Sequence, residues 1–406
     1  MNRRAIIKGL SFLPFSGVLL GSMVPSAYAK AAPQARKRDI FKELGLRTFI
    51  NAAGTYTAMT ASLMEEEVMD VINTSSREFV MLDEVQDKVG ERIAKMVHAE
   101  AATVTAGAFS ALTLGMAGVL TGMDPKRVEQ LPHLEGTGMK SEVIVQKAHI
   151  IGYINALTNT GVRLVTVETG EEAEGAINDK TALMWFLNAN TGQGKIGQQE
   201  WLEIARKHNI PTMIDIAADV PPVENLWKFN DMGFDLVCIS GGKAMKGPQS
   251  AGILMGKKHL IAAARLSAPP RGATIGRGMK VNKEEILGMY VALEKYIHTD
   301  HEKEWKMWDD RVAVITGAVK DMDGVTSSVT VPPYANHTPF INIVWDKSKI
   351  KLTPKELQER LRFGSPSIEV MLGEKEGINI TVFMLKPGQE KTVAKRLKEE
   401  LGTASV

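Results

Sequence analysis

Between Ala101 and Gly256 the chain alternates short apolar runs with stretches of helical spacing. Val143–Val145, Arg163–Val167, Ala182–Leu187, Pro211–Ile216, Leu236–Ile239 and Ile253–Met255 are short and rich in branched residues, which predicts buried strands. Gln198–His208 predicts a helix with Trp201, Leu202, Ile204 and Ala205 on its inner side. Ile150–Asn159 and an amphipathic Ala111–Leu120 read as further helices. Upstream, Glu65–His98 carries Val68, Val71 and Ile72, then Val85, Val89, Ile93 and Val97, at helical spacing. Alternating strands and helices predict an α/β domain around a mostly parallel sheet. Ligands of such sheets bind beyond the carboxyl ends of the strands.

The pattern changes after Lys280. Asn282–Val319 predicts one or two long helices. Asp323–Val406 predicts a smaller αβ unit, with strands near Val325–Val331, Phe340–Trp345 and Ile378–Leu385. Thr353-Pro354-Lys355-Glu356 is a capping box with proline at the first helical position, and a last helix follows Pro387-Gly388. The predicted division is a signal over 1–29, an arm and leading segment over 30–64, a large domain over 65–280, connecting helices over 281–322 and a small domain over 323–406.

Composition narrows the function. Of 406 residues, 44% are hydrophobic and 24% charged, as in an ordinary soluble enzyme. A formal charge of +2 supplies no basic field for nucleic acid. The lone Cys238 excludes an internal disulfide, and its place inside an apolar strand pattern predicts a buried core thiol rather than a nucleophile. The first residues read as an export signal. Arg3-Arg4 precedes the modestly apolar Leu10–Val24 and the small-x-small site Ala27-Tyr28-Ala29, a pattern similar to a twin-arginine signal, with an ordinary secretory peptide as the alternative. The expected location is periplasmic or secreted. Lys30–Lys37 reads as a mobile arm, and no later apolar run is long enough to span a bilayer, so no membrane association is expected after cleavage.

Candidate chemistry centres on Phe234–Gly256. Leu236–Ile239 leads into Ser240-Gly241-Gly242-Lys243, which puts a lysine in a glycine-rich turn at the end of a buried strand. Partial burial lowers an ammonium pKa and leaves a nucleophilic amine. Two solvated loop lysines are the bland alternative. The run Ser240-Gly241-Gly242-Lys243-Ala244-Met245-Lys246-Gly247-Pro248-Gln249-Ser250-Ala251-Gly252 resembles the cofactor-lysine segment of pyridoxal 5′-phosphate (PLP) enzymes of fold type I. Within that class it is similar to the superfamily of selenocysteine synthase (L-seryl-tRNA selenium transferase) and D-glucosaminate-6-phosphate ammonia-lyase. Thr48–Gly54, TFINAAG, resembles the same superfamily's opening segment. The resemblance implies PLP as cofactor, and a large α/β domain with a small C-terminal αβ domain.

It further implies roles for single residues. Lys243 would bear the cofactor, with Lys246 as rival. Asp215, ending Pro211–Ile214, would face the pyridine nitrogen, with Asp219 the less favoured choice. Gly107, Ala108 and Phe109 would receive the phosphate on free N–H groups at a helix start, although a small-residue packing turn is the other reading. Ser240 would also reach the phosphate, and His149 would stack on the ring. Arg277, within the basic Arg271–Lys280, is the candidate for an anionic group across a homodimer or higher homo-oligomer interface. Arg362 is a candidate for the substrate carboxylate. Family members often carry an arginine after a P-x-I stretch, but here Pro366-Ser367-Ile368 runs into Glu369-Val370-Met371.

Two motifs lead elsewhere. Gly192-Gln193-Gly194-Lys195 fails as a phosphate loop because Ile196 stands where Ser or Thr is required. His298 and His301 lack the further ligands of a zinc site. The expected activity is an exported PLP-dependent lyase on an amino acid, a small-molecule substrate, removing the Cα proton, expelling a β-substituent and releasing ammonia. Selenium transfer, aldol cleavage, racemisation and transamination are the catalytic alternatives. A non-catalytic binding protein on the same fold is the alternative of another class.

Overall fold

The structure, a computed structural model, describes residues 38–373 and 376–405, so the signal and the Lys30–Lys37 arm lie outside the described residues. In chain order the strands are β1 (Ile50–Asn51), β2 (Ala101–Thr105), β3 (Glu142–Gln146), β4 (Arg163–Val167), β5 (Thr181–Leu187), β6 (Thr212–Asp215), β7 (Leu236–Ser240), β8 (Gly252–Gly256), β9 (Val325–Thr330), β10 (Phe340–Trp345), β11 (Ile368–Glu369), β12 (Met371–Leu372) and β13 (Gly377–Thr381). Residues 38–47 hold one short helix, Ile40–Glu43, capped by the Asp39 side chain. Everything described from Thr48 onward forms a single compact unit containing two main sheets.

The larger sheet has the order β2-β8-β7-β6-β5-β3-β4. All its strands run parallel except β8, which pairs antiparallel with both β2 and β7. Alternate residues of these strands enter two separate cores, as a period of two requires. Ile144, Met184, Phe186, Ile214, Val237 and Ile253 face one side, under helices Leu82–Met96, Gln198–His208 and Lys283–Ile297. Val143, Leu183, Trp185, Met213, Cys238 and Leu254 face the other, under Gly107–Thr121 and Lys258–Leu266. Cover on both faces explains why β5, Thr-Ala-Leu-Met-Trp-Phe-Leu, is buried throughout.

The smaller sheet is antiparallel, in the order β12-β13-β10-β9. Ile341, Ile343, Trp345, Ile378 and Ile380 point into a third core, closed by Trp308, Ile315, Leu357 and Leu397 from three helices. Ile50 and Ala52 belong to this core too. The leading segment is tied there because β1 pairs parallel with β11, Ile50 opposite Ile368 and Asn51 opposite Glu369.

Most predicted elements appear near their expected bounds. The long connecting stretch is two helices, Lys283–Ile297 and His301–Val319, with a capping box at Asn282. Helix Pro354–Phe363 has the expected box at Thr353. Three expectations need correction. The helix placed at Ala111–Leu120 starts at Gly107 and is not amphipathic, because it lies between the sheet and Lys258–Leu266 and is buried on nearly every side. Ile150–Asn159 is a short 3-10 turn, Gly152–Ile154, and one helical turn, Asn155–Thr158. The strand expected over Ile378–Leu385 stops at Thr381.

Candidate active site

The carboxyl ends of the parallel strands come together along one edge of the larger sheet. Its register sets Leu187 beside Asp215, Asp215 beside Cys238, and Ser240 and Thr105 on either side of Gly252. The residues that leave this edge are Gly107, His149, Asn188, Asp215 and Lys243, each just past the end of its strand or at it. Strand topology thus gathers residues scattered over nearly 140 positions of sequence, counted from 107 to 243.

The lysine turn is tightly built. Gly241 N–H donates to the Ala251 carbonyl, Gly247 N–H to the Gly241 carbonyl and Lys246 N–H to the Lys243 carbonyl. A Cβ on Gly242 would sit 2.5 Å from Gln249 Cα, so only glycine fits. The two lysines of the turn differ sharply. Lys246 pairs with Glu65 at 2.8 Å and Glu304 at 3.8 Å, so its charge is used in holding the fold. The Lys243 amine makes no hydrogen bond or ion pair among the described residues. Burial lowers its pKa below the usual lysine value, against the opposing pull of Asp215 and then Asp219. A desolvated, unpaired amine is the group a carbonyl cofactor requires.

Two buried carboxylates face it. Asp215 accepts the Ala217 N–H at 2.9 Å, and burial raises its pKa while that bond and the Lys243 charge lower it. Asp219, 2% exposed, accepts Asn188 Nδ2 at 2.6 Å and the Ala335 N–H at 3.1 Å, both on Oδ1. Its pKa is pushed up to about 6, chiefly by burial, with the Asn188 bond opposing and the Asp215 charge adding. Gln198 Nε2 holds Asn188 in turn, at 2.6 Å. Ala335 belongs to the β9–β10 loop, so Asp219 fastens the smaller sheet to this edge.

His149 is fully buried and sits edge-on to Phe186, with ring centroids 4.5 Å apart. Its Nδ1 accepts the Leu187 N–H at 3.2 Å, which leaves the proton on Nε2. That Nε2 has no partner among the described residues. Burial lowers the pKa of the ring to about 4, so it is neutral at physiological pH. Gly194 makes room beside it, since a Cβ there would lie 3.1 Å from Nε2.

Helix Gly107–Thr121 starts at the same edge with no side chain capping its first turn. Gly107 has φ of +82°, a left-handed conformation that glycine adopts freely. A Cβ on Gly252 would lie 2.6 Å from the Gly107 carbonyl carbon and 2.7 Å from the Ala108 nitrogen, so the strand passes directly beneath the helix start. The N–H groups of Gly107, Ala108 and Phe109 are therefore open to an anion. PLP fits this arrangement: an uncapped helix start for its phosphate, a free amine for its aldehyde and a carboxylate for its ring nitrogen.

The remaining predicted residues are placed as follows. Ser240 is partly buried at the end of β7. Arg277 stands exposed, on a loop anchored by Arg271 to Asp83 at 3.0 Å. Arg362 pairs with the buried carboxylate of Glu369 at 2.9 Å, so this pair occupies the stretch where family members carry their arginine. Cys238 is buried, and burial pushes its thiol pKa up, as suits a core residue. The sequence reading missed Asn188 and Ser62. Ser62 donates from both its N–H and its hydroxyl to the Gly242 carbonyl, at 3.1 and 2.8 Å. Asn188 had a visible signal, a polar run directly after a fully apolar strand.

Comparison with known proteins agrees with this fold. Residues 87–276 match the aminotransferase class-V family. The chain is 27% identical over 377 residues to D-glucosaminate-6-phosphate ammonia lyase of Salmonella typhimurium, covering 89% of this chain and 97% of that protein. It is 24% identical to the 5′-C-glycyluridine monooxygenase-decarboxylase of a Streptomyces species, covering 89% and 92%. It is 26% identical to the L-seryl-tRNA(Sec) selenium transferase of Aquifex aeolicus, covering half of each. A solved structure of D-glucosaminate-6-phosphate ammonia-lyase superposes with a TM-score of 0.77 at 25% identity, over 90% of this chain and 99% of that one.

Two outcomes follow from the geometry. Gly252→Ala should push the helix start off β8 and weaken PLP binding by at least about tenfold, read by titrating the apo protein and following visible absorbance. Unchanged affinity would show that the helix start does not bind the cofactor. The second concerns pH. Asp219 has a folded pKa of about 6 against a usual 3.8, so its contribution is full below pH 3.8 and lost as pH rises through 6. His149, at about 4 against a usual 6.5, contributes in the opposite sense, and its stability is lost as pH falls from 6.5 through 4. Each is worth at most about 3 kcal/mol. In apo protein, the stability of wild type relative to Asp219→Asn should fall by about 2 kcal/mol from pH 4 to 7, measured by urea unfolding. A gap independent of pH would contradict the raised pKa.

Proposed function

On the premise that this chain is a PLP-dependent enzyme of fold type I, resembling the group of selenocysteine synthase and D-glucosaminate-6-phosphate ammonia-lyase, we propose that it is a β-eliminating ammonia-lyase acting on an amino acid. The observation that carries this reading is Lys243, a buried amine without a partner, aimed at the strand edge where Asp215 and the open helix start also lie. When bound, PLP draws electrons away from the Cα of an amino acid joined to it. Lys243 would hold the cofactor and would take the substrate's Cα proton onto Nζ. Its lowered pKa favours the free amine that such a base must present. Asp215 would face the ring nitrogen, while Gly107, Ala108, Phe109 and Ser240 would hold the phosphate. His149 supplies a neutral ring as the platform. As the Cα–Cβ double bond forms, the β-substituent leaves with its bonding electrons. Water then converts the released enamine to a keto acid and ammonia.

Similarity to the Salmonella lyase over nearly the whole chain supports elimination over selenium transfer, where the match to the Aquifex protein spans half of that protein. The Arg362–Glu369 pair supports a substrate whose carboxylate is bound in some other way than by an arginine of that stretch. We further propose export through the Arg3-Arg4 signal and a homodimer, with Arg277 reaching the neighbouring site. An exposed apolar run, Phe79-Val80-Met81, supports a covered surface in the assembly.

Amino acids bearing a β-hydroxy, β-amino or β-thio group, offered singly, should release ammonia over many turnovers while the visible cofactor band persists. One-for-one bleaching without ammonia would indicate transamination. Release of carbon dioxide with oxygen uptake would instead align the chain with the Streptomyces relative. Light scattering should give at least twice the chain mass, and a monomer that still turns over would rule the dimer out. Replacing Arg3 and Arg4 by lysine should leave the precursor in the cytoplasm of a twin-arginine-competent host, and undiminished export would refute the signal.

A further inference from the structure

The turn that carries Lys243 has three successive carbonyls to satisfy. Those of Gly241 and Lys243 are used within the turn, by Gly247 N–H at 2.9 Å and Lys246 N–H at 3.0 Å. The Gly242 carbonyl, which belongs to the peptide bond leading into Lys243, receives its donors from outside. Both come from Ser62, the hydroxyl at 2.8 Å and the N–H at 3.1 Å, across 180 residues of sequence. Ser62 is only 9% exposed.

The turn needs such a partner for a physical reason. Gly241 and Gly242 are required because side chains would strike Met289, Ala251 and Gln249. Two successive glycines also leave the backbone before the lysine free to rotate over a wide range. A pair of hydrogen bonds to the intervening carbonyl fixes the plane of the peptide from which Lys243 departs. The same stretch grips the turn again three residues later, where Glu65 pairs with Lys246 at 2.8 Å. Lys243 is thus bracketed by contacts from Ser62 and Glu65.

The segment that delivers Ser62 is itself anchored. Asn51 pairs with β11, and its side chain accepts the N–H groups of Ala53 and Gly54, both at 3.0 Å, to turn the chain. Gln249 Nε2 holds the Thr57 carbonyl at 3.2 Å. Thr60 and Ala61 then adopt φ of +62° and +59°, left-handed values that residues with a Cβ rarely take. Such strain just before Ser62 marks a backbone held in place by its surroundings.

We propose that Ser62 is a positioning residue for the cofactor lysine, clamping the Gly242–Lys243 peptide so that the Lys243 amine is presented at a fixed angle to the cofactor aldehyde and the substrate Cα. The inference rests on the assignment of Lys243 as the cofactor lysine. It deepens that assignment by giving the leading segment a part in the chemistry.

The test compares three variants of the full chain loaded with PLP. Ser62→Ala removes the hydroxyl donor, Ser62→Thr keeps it, and Ser62→Cys keeps the size with a weaker donor. Asn282→Ala, which breaks a capping box at helix Lys283–Ile297, controls for plain loss of stability. The first readout is the pH midpoint of the visible cofactor band, which depends on how the amine sits relative to Asp215, Asp219 and solvent. In Ser62→Ala it should shift by about half a unit or more, with kcat down about tenfold and KM changed less. Ser62→Thr should restore both. Ser62→Cys should shift the midpoint in the same direction by less, and stands in if Ser62→Ala does not fold. Asn282→Ala should lower only the melting temperature. A wild-type midpoint in the folded Ser62 variants, or a shift of equal size in Asn282→Ala, overturns the clamp. Lys243→Ala, reduced with borohydride and denatured, separates the two levels of the argument. Cofactor still covalently bound there would refute the lysine assignment and the clamp with it, whereas its loss there with unmoved Ser62 midpoints would refute the clamp alone.

Discussion

An amine held out of water, with carboxylates near enough to feel but none in contact, is the constraint on which this molecule turns. Burial disfavours the charged form of Lys243, and burial of Asp215 and Asp219 disfavours theirs, so each side is driven toward neutrality while the opposite charges oppose that drift. A close ion pair would have ended the conflict and left the lysine inert, as Lys246 is beside Glu65. The conflict persists because backbone contacts hold the turn from several sides at once. The opposing acid at Asp219 is in turn engaged by Asn188 and the Ala335 N–H, which tie it to two other elements.

The surrounding architecture serves to bring these groups to one edge. Parallel strands deliver His149, Asn188, Asp215 and Lys243 at successive carboxyl ends. The single antiparallel strand, β8, starts at that edge with Gly252 and lies directly beneath the start of helix Gly107–Thr121. The C-terminal layer contributes through two threads. The β9–β10 loop bonds to Ala218 and Asp219, with the Asn336 N–H donating to the Ala218 carbonyl at 2.6 Å. The leading segment starts from its pairing with β11 and ends on the Gly242 carbonyl. The geometry of the candidate site and the union of the two layers therefore depend on the same few bonds.

How much of this is legible in the sequence varies with the range of the interaction. The apolar runs that became β3 and β5 to β8 declare themselves, because strands covered on both faces are mostly apolar along their length. The lysine turn and the strand-end Asp215 are equally plain, being local patterns of glycine and charge. Helix Gly107–Thr121 was recognised as a helix but not as a wholly buried one, since its polar-looking positions are Ser, Thr and Gly, small enough for close packing. Ser62 gave no signal, for its partner lies 180 residues away and is a backbone carbonyl without side-chain identity. In sequence Lys246 stands as the rival to the favoured Lys243, and the physical difference between them shows only when Glu65 and Glu304 are brought to Lys246.

The central claim is that Lys243, and no other lysine, carries the cofactor. Borohydride reduction of the wild-type protein loaded with PLP, followed by proteolysis and mass spectrometry of the peptides, tests it directly. The account predicts one pyridoxyl group per chain, on the peptide containing Ser240-Gly241-Gly242-Lys243, with the mass increment at Lys243. A label at Lys246, or one spread over several lysines, would contradict it.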